Sequence, residues 1–193
     1  MEAGDLHCMT TPKQGNRVPP GCLIGVDNGK FGKGYPGDGP FLDFLEHTAH
    51  RYGHERIAFA VVPDQPFDSV GTLALFRQLQ PAVQELAVPV AFAAQDGCDA
   101  LGVPWDDLDV LFLAGSTEWK VGPVAERLAR EARERGRWVH MGRVNSLRRL
   151  RIAEWFGCNS ADGTFLAHGP DRNLPQLLSW LDQVHRTPSL FSV

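Results

Sequence analysis

One rhythm repeats along this 193-residue chain. A short apolar run closes on a polar or glycine-containing turn, an amphipathic stretch comes next, and another apolar run begins. The runs are Leu6–Thr10, Cys22–Asp27, Ile57–Pro63, Val88–Ala94, Val110–Ala114, Trp138–Gly142 and Gly163–Ala167. Segments such as IAFAVV, VPVAFAA and VLFLAG are almost unbroken in apolar residues, the mark of strands covered on both faces, as in a parallel sheet flanked by helices. Parallel strands need crossovers, and the intervening stretches have helical spacing. Pro40–Tyr52 sets Phe41, Leu45 and Thr48 on one face, and Ser69–Ala87 aligns Leu73, Phe76, Leu79 and Val83. Gly122–Arg135, Ser146–Phe156 and Leu174–Val184 carry similar stripes around Leu128, Leu150 and Leu178. Ser69 and Ser146 stand where N-caps belong, and Gly53, Gly136 and Gly157 where helices stop. Asp96–Asp109 has no helical period and is expected to be irregular.

Alternating strands and helices predict an α/β fold. An open doubly wound sheet and a closed barrel both satisfy the pattern. A (β/α)8 barrel commonly takes about 250 residues, so the barrel expected here is a compact, trimmed TIM-type barrel of parallel strands. Residues 1–193 read as one domain, with 187–193 as a loose tail. No apolar run approaches the roughly 20 residues needed to cross a bilayer, and the N-terminus lacks a basic flank leading into an apolar stretch, so a cytoplasmic protein is expected. Cys8, Cys22, Cys98 and Cys158 are scattered without C-x-x-C spacing and read as free thiols. No metal-binding motif occurs, and neither a metal nor a cofactor is expected. The formal charge of −4 argues against a surface coated in positive charge for nucleic acid, while leaving room for a local basic patch.

The functional signal lies in the residues just past each strand. Asp27 ends LIGVDNG, Asp64 ends AFAVVPD, and Gln95 and Asp96 end AFAAQDG. Gly115 ends LFLAG, Met141, Arg143 and Asn145 lie in VHMGRVN, and Asp162 lies in CNSADGTF. In parallel α/β folds the carboxyl ends of the strands form the ligand-binding rim. One Asp after a strand is an ordinary turn former; six successive units with such an ending point to a site. GKFGKGYPGDG matches neither the P-loop nor the dinucleotide fingerprint and reads as a loop over that site, supplying Lys30 or Lys33. His47, His50 and His54 share a helix face expected to be solvated.

The ordered strand-end motifs resemble the tRNA-guanine transglycosylase superfamily, in particular its short, phage-associated branch linked to 7-deazaguanine in DNA. The likeness runs from about Asp27 to Leu181, and STEWK, VHMGRVNS and GCNSADGT carry it most strongly. The family exchanges a guanine in nucleic acid for a deazaguanine base. The resemblance implies that Asp27, in DNGKF, is an acid/base group and that Phe31 stacks on the base. It implies that Asp64 reads the guanine edge, that Gln95 contacts the base, that Gly115 lies against it through its backbone, and that Met141 covers its other face. Asp162 aligns with the nucleophile. Asn159 stands where the family often has an acid. The family's four-ligand zinc region, which supports RNA docking, has no counterpart here, so DNA is favoured over tRNA as the expected substrate.

The chemistry suits these residue types. Breaking an N-glycosidic bond passes through an oxocarbenium-like state that a carboxylate can stabilise or trap covalently. A second carboxyl of raised pKa can protonate the leaving base and deprotonate its replacement. Guanine presents N–H donors, for which Asp64 is a natural acceptor. Arg143, Arg148 and Arg149 are candidates for holding phosphates. The same carboxylates would also serve a nucleoside deoxyribosyltransferase or an N-glycosidase on small nucleosides, and a non-catalytic base-binding barrel would keep the fold. A short barrel is also expected to need a partner protein or a second copy to complete a nucleic-acid site.

Overall fold

The computed structural model describes residues 6–14 and 17–186. Seven strands, β1 (Cys8–Thr10), β2 (Ile24–Val26), β3 (Ile57–Val61), β4 (Val90–Ala94), β5 (Val110–Leu113), β6 (Trp138–Met141) and β7 (Ser160–Ala161), form one sheet in sequential order. Every neighbouring pair is parallel. The crossovers contain α1 (Asp38–Tyr52), α2 (Ser69–Glu85), the short α3 (Cys98–Leu101) and α4 (Thr117–Lys120), α5 (Pro123–Glu134) and α6 (Leu147–Trp155), and α7 (Pro170–Arg186) comes after β7. A doubly wound sheet reverses its strand order at a switch point; this one never does. The architecture is a trimmed (β/α) barrel of TIM type, and among the described residues no ladder joins β7 to β1.

Curvature is evident from one contact. Phe59 on β3 and His140 on β6 lie three strand spacings apart, roughly 14 Å in a flat sheet. Their ring centroids are 4.8 Å apart. The sheet therefore curls until the side chains of its concave face meet. That face holds Phe59, Val61, Ala91, Ala93, Val110 and Phe112, with Met9 and Ala114 beside them. The opposite parity along the same strands, including Val90, Phe92, Leu111, Leu113, Val139 and Met141, packs under the helices, as period-two alternation requires. Gly25 permits the inner packing, because a Cβ there would stand 2.3 Å from Met9 Sδ and 3.0 Å from the Phe59 ring.

Two local expectations fail. Gly163–Ala167 is not a strand; the last strand is Ser160–Ala161, paired in register with His140 and Met141. The backbone N–H of Asn159 donates to Val139 O at 2.8 Å, and its side-chain oxygen accepts from Val139 N at 2.9 Å, which fixes the edge there. The apolar residues further on dock α7 instead, with the Phe165 and Trp180 rings 4.6 Å apart. The cap of α2 is Asp68, whose carboxylate accepts from Gly71 N at 3.0 Å, rather than Ser69. Ser146 does cap α6, accepting from Arg149 N at 3.3 Å. Gly53, Gly136 and Gly157 all end helices with positive φ, and Asp96–Asp109 is irregular apart from the single turn of α3. The four cysteines are free. Residues 187–193 lie outside the described residues, among which no helix is long and apolar enough to cross a membrane.

Candidate functional site

Alternation carries the concave face up to the carboxyl ends of the strands. Asp27 lies just past β2 on the parity of Gly25, and its N–H donates to Thr10 O at 2.9 Å. Its Oδ1 accepts from Gly29 N at 3.2 Å. Burial pushes its carboxyl up to about 6, and the charges of Asp64 and Asp162 push the same way. Asp64 is buried, and each of its oxygens is held by an amide: Asn28 Nδ2 donates to Oδ1 at 2.9 Å, and Gln95 Nε2 to Oδ2 at 2.7 Å. Burial raises the Asp64 carboxyl, while the Asn28 bond and the charge of Lys30 draw it back. Gln95 is itself buried, and its Oε1 accepts from Phe67 N at 3.0 Å.

Asp162 leaves β7 on the parity of Ser160, opposite His140. Its Oδ1 lies 3.1 Å from His140 Nε2, and Arg143 N donates to both oxygens at 3.3 Å. The His140 ring is stacked on Phe112 with centroids 4.7 Å apart, and Phe59 lies near it as well, so rings of the inner core fix it. Beneath Asp162, Lys120 is fully buried and donates from Nζ to Gly142 O. Burial and the nearby Arg143 guanidinium lower its pKa to about 7, against the opposing pull of Asp162. Arg143 turns inward with φ 58. Its guanidinium donates to Ala114 O and Gly115 O and lies 4.4 Å from the centre of the Phe31 ring.

Asp27, Asp64, Gln95 and Asp162 therefore share one rim, although long stretches of chain separate them. Phe31 stands above it, half-exposed. Gly115 lies within it: a Cβ there would meet the Trp119 ring at 2.5 Å and Asp96 Oδ2 at 2.6 Å. Met141 does not reach the site. It is fully buried under the helices, level with Leu113, because alternation gives the inward position to His140. Arg143 is committed to the strand ends rather than to a phosphate, and Arg149 donates from Nη1 to Arg143 O at 3.2 Å. Arg148 alone of the three is exposed. Lys30 acts on Asp64 electrostatically and lies over the Tyr35 ring at 4.8 Å.

Asn28, Lys120, His140 and Phe67 belong to the site, and sequence reasoning does not single them out. His140 had a signal: a polar residue inside the apolar run WVHM, on the parity opposite Val139 and Met141. Asn28 adjoins Asp27. Lys120 carries no comparable sign, since its burial depends on the single turn of α4.

No protein-family model matches the chain, and no curated protein matches it in sequence. Solved structures match it in fold. A dihydrodipicolinate synthase from Oceanobacillus iheyensis superposes with a TM-score of 0.50 at 12% identity, over 85% of this chain and 51% of that one. The FimX EAL domain of Xanthomonas citri, in complex with c-diGMP, gives 0.49 at 16% identity over 75% and 59%. A Silicibacter pomeroyi protein assigned as a glycerophosphoryl diester phosphodiesterase gives 0.49 at 12% over 85% and 52%. None of the three is a guanine transglycosylase. The chain spans just over half the length of these structures, and at 12% identity the synthase match bears on the fold alone.

Proposed function

We propose that the chain is an enzyme that exchanges guanine in nucleic acid, with DNA favoured, for a 7-deazaguanine base. The observation that carries this reading is the pairing of Asp27 and Asp162. Two carboxyl groups share one rim in different environments: Asp27 is partly buried and raised to about 6, while Asp162 accepts from His140 and from Arg143 N. Divergent environments are how one site obtains an acid/base and a nucleophile from the same side-chain type.

In the proposed reaction an Asp162 oxygen forms a bond to C1′ as the bond from C1′ to the guanine nitrogen breaks. Asp27 gives its proton to the departing base. The incoming deazaguanine returns a proton to Asp27 as its nitrogen bonds C1′ and frees the Asp162 carboxylate. Asp64 and Gln95, already hydrogen-bonded to each other, present the polar wall against which a guanine edge would be read, and Phe31 offers a stacking face. A partner protein or second copy of the chain would complete the nucleic-acid surface.

One observation favours the runner-up, a transferase or glycosidase acting on small nucleosides: Arg143 faces inward, which leaves one fewer phosphate contact than the sequence implied. Oligonucleotide binding at low and moderate salt separates the two, because phosphate contacts make affinity fall steeply with salt. The central test is incorporation of radiolabelled guanine into DNA by the native protein and by Asp162→Asn. The native protein should exchange base and the variant should lose at least about a hundredfold in rate. Equal rates would remove Asp162 as nucleophile. Binding of deazaguanine without turnover on any polynucleotide would indicate a non-catalytic module.

A further inference from the structure

We infer that Phe67 is a ligand-binding residue: with Phe31 it forms an aromatic corner that takes the planar ring of the base, a place filled in this structure by the guanidinium of Arg143. The inference deepens the base-exchange reading and rests on it for the identity of the ring.

Phe67 has no packing role that accounts for its position. It is 54% exposed, and Phe31 is 55% exposed. The two rings meet edge to face, with centroids 6.0 Å apart and planes at 74°. An aromatic residue left this open contributes little to the core. Its backbone is also costly: φ is 65, a left-handed conformation that bulky side chains disfavour and that persists only where surrounding structure enforces it. The turn from Gln65 to Asp68, closed by Asp68 N donating to Gln65 O at 3.0 Å, sets that angle, and Gln95 ties the turn to the site. Phe67 N donates to Gln95 Oε1 at 3.0 Å, while the same amide donates from Nε2 to Asp64 Oδ2 at 2.7 Å. The strained residue is thus wired to the pair proposed to read the base.

The corner already shows what shape it accepts. The Arg143 guanidinium lies 4.4 Å from the centre of the Phe31 ring and 5.8 Å from that of Phe67. A guanidinium is flat and delocalised and stacks on aromatic faces as a heterocycle does. The corner also supplies the second apolar wall, since Met141 lies in the outer core. A base entering the corner displaces the guanidinium from it.

The test is calorimetric titration of guanine, 7-deazaguanine, adenine and cytosine, as free bases, into the native protein and into Phe67→Leu, Phe67→Tyr and Phe67→Gly. Losing a stacking partner should weaken binding at least about tenfold in Phe67→Leu, whereas Phe67→Tyr should hold it within about threefold. Phe67→Gly should lose the same affinity yet melt at a higher temperature, because glycine adopts this backbone without strain. Guanine binding that is equal in the native protein and Phe67→Leu overturns the inference and leaves the base-exchange reading standing. If another base binds, guanine does not, and Phe67→Leu weakens that base, the corner stands and the guanine reading falls. If the native protein binds none of the four, both fall.

Discussion

His140 presents Nε2 to Oδ1 of Asp162 at 3.1 Å, and because a carboxylate can only accept, His140 is the donor. On the far side of the ring Ser160 Oγ lies 2.7 Å from Nδ1 and accepts from the Trp138 indole at 3.0 Å. A chain of four residues at two adjacent strands thus orients the proposed nucleophile.

Replacing His140 by Phe should preserve the ring stack with Phe112 and Phe59 while removing the donor. The thermal midpoint should fall modestly, because the larger Phe ring must fit between Phe59 and Phe112. The single-turnover rate of glycosyl transfer should fall by about ten- to a hundredfold as Asp162 loses its orientation. Ser160→Ala should produce a smaller loss of the same kind, since it removes the partner of Nδ1 without removing the ring. A native rate in His140→Phe would show that Asp162 needs no such support.

Lys120 is a buried cation in a site that already holds Arg143. Its pKa is lowered to about 7 from an ordinary 10.5, chiefly by burial. Between those values the unfolded chain holds a proton that the folded one has lost, so folding stability rises as pH climbs from about 7 to about 10.5. Below 7 the full penalty of the buried charge is present. Lys120→Met should therefore gain relative to the native protein at pH 6, and the difference should shrink as pH rises. Loss of the bond to Gly142 O subtracts about 1–3 kcal/mol at every pH, so the slope carries the test rather than the sign. Parallel stability curves from pH 6 to 10 for the two proteins would mean that Lys120 titrates normally.

The strands before the last were legible because residues covered on both faces leave near-continuous apolar runs, as in VAFAA and VLFL; their order was not, because a doubly wound sheet satisfies the same runs. Curling was not, because it depends on which strands pair and on contacts such as Phe59 with His140, three spacings apart. The polar strand ends were legible as a group, and four of them meet. Met141 was misplaced although alternation alone puts it opposite His140, since the family likeness outweighed the parity of WVHM. Gly163–Ala167 failed for another reason: Phe165 is apolar in order to meet Trp180 of α7, a helix contact that short-range pattern does not distinguish from a strand. Phe67 was hidden inside an ordinary-looking turn, where only its backbone angle and its bond to Gln95 reveal it.

Gly25 is where the inner core is tightest. A methyl group there would overlap Met9 Sδ at 2.3 Å and press on the Phe59 ring at 3.0 Å. The Met9 side chain can move, whereas the Phe59 ring is held among Phe112 and His140. Gly25→Ala should cost about 1–3 kcal/mol, the usual range for overpacking. Adding Met9→Ala should recover part of that loss, giving a coupling that two independent destabilisations lack. Denaturant melts of the two single variants and the double variant measure it, and strictly additive losses would place the strain elsewhere.

Asp27 links stability to mechanism through one proton. Its carboxyl is raised from 3.8 to about 6, first by burial and then by the charges of Asp64 and Asp162. Between pH 4 and 6 the folded protein retains a proton that the unfolded chain has released, so stability falls as pH rises through that window and stays lowered above it. Asp27→Asn removes the ionisation. The variant should be more stable than the native protein at pH 7.5, by up to about 3 kcal/mol, and the difference should vanish near pH 4. Base exchange should move the opposite way, losing about a hundredfold or more, because no group remains to protonate the leaving base. The native rate of base release should decline with an inflection near pH 6 as Asp27 gives up its proton. An Asp27→Asn protein that keeps its activity, or a native profile flat from pH 5 to 8, would take the proton away from Asp27 and leave Asp162 without an acid partner.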